Sequence, residues 1–441
     1  MSSGKCNHPQ YAQRCRFTTK LLNALFLILA IFLFTSSHVI DAVDKGNFKT
    51  CNDSSFCKRQ RATQPGDAKF RIKDDSVMLN EDGSVSAVLV NEADKSGNSE
   101  GREFSLSLYS LADHTLRIRI DEINGLKQRY SPIEALRDDI KFTRLESHSN
   151  RPTSGGTNVP QTQTFQNTNG DKVVLHFVPF RVDAFSGDHL VISLNSQHLL
   201  NVEHYRIKKE ASPSENKDEN KDEDSVPDDD DEPGMWSEDF KTHHDRKPHG
   251  PSSVGFDLSF IGFQRLFGLP EHADSLELQT TTGTGQDPYR LYNLDIAEGT
   301  GQDPYRLYNL DVAEYELNSR MSLYGAVPYV IAHSSQKTVG AFWLNAAEMW
   351  IDVKSSTADK SVFRSLLDRF KNTQDVPQMD THWMAESGLL DLFLFLGPQP
   401  HDIFRQYAAV TGVTPLPPIF SLGYHQCRFG IITIRKMFLV C

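Results

Sequence analysis

The chain has no apolar stretch of the roughly 20 residues that a bilayer core requires. Its greasiest run, 21–34 (LLNALFLILAIFLF), has 14 residues among 441. Lys5, Arg14, Arg16 and Lys20 precede it, and Thr35, Ser36, Ser37, Ile40, Asp41 and Ala42 follow. A basic start, a short greasy core and a small residue at a cleavage point read as a secretory signal over 1–42, with no stable membrane span after cleavage, an uncleaved signal anchor being the alternative. Cysteine is scarce too. Of six, Cys6 and Cys15 fall within the signal, and Cys427 and Cys441 have no obvious partners. Cys51 and Cys57 can close a small loop in an oxidising lumen. They lack the two further ligands of a structural zinc site, so no metal is expected. Basic residues are in deficit, 46 against 58 acidic, which argues against nucleic-acid binding. Gly-rich phosphate loop, G-x-S-x-G elbow and HExxH are all missing, so no catalytic motif declares itself.

What is present is mostly strand-like. Leu116, Ile118 and Ile120 alternate with Arg117, Arg119 and Asp121, and 104–109 (FSLSLY) repeats the pattern. Further runs at 173–178, 190–194 and 255–260 are separated by Gly, Asp and Asn turns. Period-two alternation at this spacing predicts a β-sandwich with one face of each sheet buried. Strands are also expected at 323–331, 338–344, 389–396 and 419–424. An amphipathic helix is expected at 361–370. Another is expected at 402–411, where Ile403, Tyr407 and Val410 share a face and Gly412 ends it. Residues 210–232 carry 12 acidic and 2 basic side chains, most of the net charge of −12. Such a stretch cannot offset ordering entropy by burial and reads as a disordered surface loop within the sandwich.

An internal repeat stands out. Residues 283–298 (GTGQDPYRLYNLDIAE) and 299–314 (GTGQDPYRLYNLDVAE) differ at Ile296 and Val312 alone. Two copies of sixteen residues cannot build a solenoid, so this is a local duplication with one copy looped out. The shared DPYRLYNLD combines a rigid turn, two tyrosines, an arginine and a terminal carboxylate, the chemistry with which sugar sites stack and hydrogen-bond a pyranose. The plainer reading, that Tyr and Arg pin an inter-strand loop, is favoured on spacing alone.

Several stretches carry a resemblance: 43–61 (VDKGNFKTCNDSSFCKRQR), 234–243 (GMWSEDFKTH), 255–260 (GFDLSF), 267–276 (FGLPEHADSL), 303–312 (DPYRLYNLDV), 342–350 (FWLNAAEMW) and 420–426 (FSLGYHQ). In this order they resemble the N-terminal part of the glucosidase II type of α-glucosidase, in glycoside hydrolase family 31. The resemblance implies a mostly β fold: a galactose-mutarotase-like N-terminal β-sandwich with a long acidic insert, abutting a (β/α)8 barrel. The domain limits expected are a signal at 1–42, an N-terminal segment with the Cys51–Cys57 loop at 43–69, a sandwich at 70–414 with a largely disordered insert at 210–250, and a truncated barrel start with an altered tail at 415–441.

The family's substrate-contacting loop aspartate falls on Asp311, or on its duplicate Asp295. Asp311 is preferred because Val312-Ala-Glu-Tyr-Glu-Leu continues as the family does. A retaining glycosidase needs two carboxyl groups about 5 Å apart. In this family both are barrel aspartates, and no such segment stands in this sequence, so no catalytic residue is assigned here. After Gln426 the family continues Ser-Arg-Trp, whereas Cys427, Arg428 and Phe429 stand here. The implied activity is glucose trimming of N-linked glycans in the endoplasmic reticulum lumen, without cofactor, in partnership with a β subunit. The 441 residues alone are expected to be inactive. The alternatives are a non-catalytic module binding carbohydrate or the β subunit, and a non-functional product of an incomplete gene model.

Overall fold

A computed structural model describes residues 48–94, 101–148, 162–208, 232–281, 304–309, 315, 317–357 and 376–425. Two large antiparallel sheets, ten strands each among the described residues, pack face to face. The first runs, in spatial order, Phe70–Ile72, Val85–Asn91, Arg102–Leu111, Thr115–Glu122, Leu390–Phe395, Thr338–Trp343, Tyr329–His333 and Arg265–Gly268, with Met78–Leu79 and Phe142–Thr143 paired off this path. The second runs Tyr305–Leu307, Met349–Thr357, Pro377–Ala385, Val254–Ile261, His189–Leu194, Arg181–Ser186, Lys172–His176, Thr162–Asn167 and Leu145–Ser147, with Asn201–Val202 paired to Val254–Ile261 off this path. Leu106, Leu108, Ile118, Leu392 and Leu394 of the first sheet share a core with Phe256, Leu258, Ile351 and Val353 of the second. An aromatic cluster bridges them. Phe256 meets Trp343 edge-on at 4.8 Å and stacks on Trp383 at 6.0 Å. Such contacts add to area burial by about 0.5–1.5 kcal/mol per pair.

Both sheets are covered outside as well. Pro400–Thr411 is a helix with a capping box between Gln399 and Asp402, Pro400 in its first turn and Gly412 at its C-cap with φ 90°. It seats Ile403 and Val410 on Phe393 and Phe395, which alternate with the inward Leu392 and Leu394 along one strand. Ser55–Ala62 is a second helix, burying Phe56, Cys57 and Gln60 over the outer face of the second sheet, where Trp350 and Met384 receive it. Its approach is close at Gly255: a Cβ there would stand 2.4 Å from the Gln60 carboxamide oxygen, and the glutamine side chain would have to shift.

The expectations at 338–344, 389–396 and 402–411 agree with these elements to within two residues. Others need correction. Within 323–331 strand begins only at Tyr329, because Gly325 and Pro328 interrupt the ladder, while a separate strand occupies Ser319–Ser322. The strand expected at 419–424 is instead a 3-10 turn over Ile419–Leu422, which pairs with no strand among the described residues. Ile419 and Phe420 are 88% and 74% exposed. The insert expected to reach residue 250 gives way earlier to a hairpin of Ser237–Phe240 with His243–Arg246, anchored by the buried Met235 and Glu238. The helix expected at 361–370 lies outside the described residues, as do most of the acidic stretch and the signal.

Candidate functional site

The motif DPYRLYNLD divides at the edge of the second sheet. Residues Tyr305–Leu307 form its last strand, paired with Met349–Thr357 in the register Tyr305↔Ile351, Arg306↔Trp350, Leu307↔Met349. Alternation on this strand sends Tyr305 and Leu307 inward, where they are 1% and 3% exposed, and Arg306 outward. It is the second copy of the repeat that supplies this strand; residues 283–298 of the first copy lie outside the described residues. Asp311 and Asp295 do as well, so the chain can be followed toward the expected substrate loop as far as the exposed Asn309.

The side chains of the motif are engaged with protein. The Tyr305 hydroxyl accepts the backbone N–H of Gln279 at 2.7 Å, and its ring meets His272 edge-on at 5.4 Å. Burial pushes its phenol pKa up. The Arg306 carbonyl accepts from His272 Nε2 at 3.0 Å and from Ser322 Oγ, while His272 Nδ1 stands 2.7 Å from the Leu269 carbonyl. Burial lowers the His272 pKa, and the two carbonyls act in the opposite sense.

Arg306 is the node of the site. Its Nε donates to Glu348 Oε1 at 2.8 Å and one Nη to the Lys49 carbonyl at 3.2 Å. Its guanidinium lies 3.7 Å from the Tyr308 ring centroid and 5.1 Å from that of Trp350. Such stacking is worth about 0.5–2 kcal/mol per ring. Burial, and then the charge of Glu348, raises the Glu386 pKa. The plainer reading of Tyr305 and Arg306 is therefore the right one: both pin the loop. Only Tyr308, half-buried, and Asn309 stand toward the loop's outer end.

Lys49, Glu348 and Trp350 escaped the reading of the motif. Glu348 and Trp350 fall within 342–350, quoted for its resemblance, but nothing in their spacing ties them to Arg306. Lys49 contributes a backbone carbonyl, which has no sequence signature. Cys51 and Cys57 are joined, with Cα atoms 5.3 Å apart, and the disulfide packs on Trp350. Asn52, of the N-x-S sequon inside this loop, is exposed.

No cluster of three or more His, Cys, Asp or Glu is arranged to hold a metal among the described residues. A cleft of about 230 Å³ lined by Leu111, Asp113, Arg137, Lys141 and Gln406 lies beside the helix Pro400–Thr411. It opens on the other sheet and is not part of this site.

A family model described as the glycosyl hydrolase 31 N-terminal galactose mutarotase-like domain matches residues 105–352. The chain is 42% identical to neutral alpha-glucosidase AB of Sus scrofa over 405 residues, 88% of this chain and 39% of the relative. It is 40% identical to that of Mus musculus over 92% of this chain and 41% of the relative. The crystal structure of a glucosidase II alpha subunit in its Glc1Man2-bound form superposes with TM-score 0.69 at 31% identity, covering 89% of this chain and 40% of that one. A heterodimer of the catalytic subunit with the binding domain of the regulatory subunit gives 0.70 at 31% identity, over 89% and 40%. The chain thus spans about two fifths of the length of the relatives it matches. It belongs to glycosyl hydrolase family 31, whose N-terminal galactose mutarotase-like domain is the sandwich described above.

Proposed function

We propose that this chain is the N-terminal part of an α-glucosidase of N-glycan processing, and that its sandwich holds one loop against the glucosyl unit to be released. The observation that carries the reading is the edge strand Tyr305–Leu307. It is fixed on its inner face by burial and on its outer face by Arg306, and it delivers the chain to Asn309 and the following Leu310-Asp311. Asp311, or its duplicate Asp295, accepts hydrogen bonds from sugar hydroxyls there, a role a carboxylate performs well. Bond cleavage needs two opposed carboxyl groups; in this family they belong to the barrel. Glu348, beside the strand, is ion-paired with Arg306. The regulatory subunit seen with one structural relative is the proposed partner, N-linked glycan the substrate, and the endoplasmic reticulum lumen the site of action. No metal or organic cofactor takes part.

The test is hydrolysis of a nitrophenyl α-glucoside by the purified 441-residue chain, together with glucosylated-oligosaccharide binding by wild type, Asp311→Asn and Asp295→Asn. We expect no turnover, and binding weakened by the Asp311 change. Turnover abolished by changing a carboxylate of this chain, or binding indifferent to both aspartates, overturns the proposal. Capture by an immobilised regulatory subunit tests the partner separately.

A further inference from the structure

We propose that the disulfide-closed segment 49–57 is a positioning element for the edge strand Tyr305–Leu307, acting through Arg306. Three contacts place it there. The Lys49 carbonyl, two residues before Cys51, accepts a hydrogen bond from Arg306 at 3.2 Å across a sequence separation of 257. Cys51, Cys57 and Phe56 pack on Trp350 and Met384, all at most 3% exposed. Trp350 is the direct cross-strand partner of Arg306, and its ring receives the guanidinium whose other neighbour is Tyr308. The disulfide thus closes a stack that runs from the cystine through Trp350 and Arg306 to Tyr308.

The segment is itself held from both sides. The Lys49 ammonium pairs with Glu238 Oε1 at 2.8 Å, and the same carboxylate accepts the Ser55 N–H at 3.2 Å. The exposed Asp53 carboxylate accepts both the N–H and the hydroxyl of Thr50, at 2.9 and 2.7 Å. A carbonyl offers a fixed acceptor only where its peptide plane is fixed. Seven residues, 51–57, closed by a disulfide, in a segment tied at Thr50 and Ser55, supply that rigidity. Among the described residues this strand has one ladder partner and needs it, since edges are the parts of a sheet that open most readily.

The inference rests on the proposed function only for the purpose of the strand; its test involves no sugar, so either can fail without the other. Amide hydrogen exchange is measured in the full chain for wild type, Cys51→Ala/Cys57→Ala, Arg306→Met and the triple variant. Exchange at 305–308 should rise roughly tenfold without the disulfide, while Leu116 and Ile118 of the opposite sheet keep their protection. If the segment acts through Arg306, the triple variant exchanges no faster at 305–308 than Arg306→Met alone. Unchanged exchange at 305–308, or effects that multiply in the triple variant, overturns the proposal. Should the cysteine variant fail to fold, Thr50→Val/Asp53→Ala is measured by the same criteria: faster exchange confined to 305–308 supports the proposal, and unaltered exchange there refutes it.

Discussion

The backbone carbonyl of Lys49 and the guanidinium of Arg306 meet at 3.2 Å, so the segment around Lys49 is braced against an edge strand that the sequence reaches only much later. The same guanidinium pairs with Glu348, the two side chains being 12% and 24% exposed. Arg306→Lys keeps the charge but cannot hold the fork to two acceptors while lying flat on Tyr308. We expect it to lower the unfolding free energy by about 1–2 kcal/mol after allowance for solvent screening. Urea unfolding followed by tryptophan fluorescence measures this, and a lysine variant indistinguishable from wild type would show the fork to be idle.

Glu238 gives a pH prediction with a definite sign. Burial opposes its charge, but the Lys49 and Lys247 ammonium groups bonded to it prevail and hold its pKa at about 2, below the ordinary 4.5. A depressed carboxyl contributes stability that is whole above pH 4.5 and is lost as pH falls from there through about 2. The contribution is on the order of 2 kcal/mol once discounted for screening. Glu238→Gln should be less stable than wild type at pH 6 by about this amount and should converge with it near pH 2. Parallel curves across that range would remove Glu238 as the cause.

How much of this could be read from residues alone depends on what each strand shows to its outer face. Thr115–Glu122 alternates Leu116, Ile118 and Ile120 with charged residues, and its intermediate outer positions match a half-solvated strand. Pro377–Ala385 was missed because its outward side chains, Gln378, Asp380 and His382, are polar yet buried. Their cover comes from segments remote in sequence: Arg61 pairs with the neighbouring Asp352, and 196–199 cap Asp257. No local pattern announces a polar face that will be roofed. The helix Ser55–Ala62 hid for a related reason. Its buried Phe56, Cys57 and Gln60 look like loop composition until Gly255 and Trp350 receive them. The motif DPYRLYNLD was legible as a pinned loop, but its pins, Glu348 and Lys49, were not.

The roofed face yields a second pH prediction. His382 is in register with Asp257 on one side and Asp352 on the other. Burial, then repulsion by Arg61, lowers the His382 pKa from 6.5 to about 4. Burial, with repulsion from Asp380 and against the amides of Gln197 and Leu199, raises that of Asp257 from 3.8 to about 6. As pH falls from 6.5 to 4, the unfolded chain takes up the histidine proton before the folded one, which costs stability. Over nearly the same window the folded chain protonates Asp257 first, which restores it. Each effect is on the order of 3 kcal/mol, so the contributions of His382 and Asp257 should nearly cancel in wild type between pH 6.5 and 4. His382→Asn removes one slope, and its stability should rise on acidification by about that amount relative to wild type. Urea midpoints at pH 4.5, 5.5 and 6.5 decide the matter; equal midpoint shifts in both proteins would place the titration elsewhere.

Arg129 is the one arginine or lysine that is buried among the described residues, at 4% exposure. Its Nε donates to Glu122 at 2.8 Å, and its Nη atoms donate to the carbonyls of Ser252, Gly388 and Glu203. Glu122 ends a strand of the first sheet, while Ser252 leads into the central strand of the second, so one guanidinium ties the two layers at this end. Arg129→Met leaves the Glu122 carboxylate, 4% exposed, with only the more distant Arg102 at 3.5 Å, and three carbonyls without their donor. A cation removed from such a pair costs about 3–5 kcal/mol. Much of that loss is the stranded carboxylate, so Arg129→Met/Glu122→Gln should recover about 1–2 kcal/mol, the sign of a coupled pair. Arg129→Lys restores the charge but offers three donors to four acceptors, and should fall between wild type and the methionine variant. Chemical denaturation of the four proteins tests the order. A methionine variant within 0.5 kcal/mol of wild type, roughly the span of an ordinary surface substitution, would mean that solvent replaces the guanidinium and that the layers are held together by their apolar core alone.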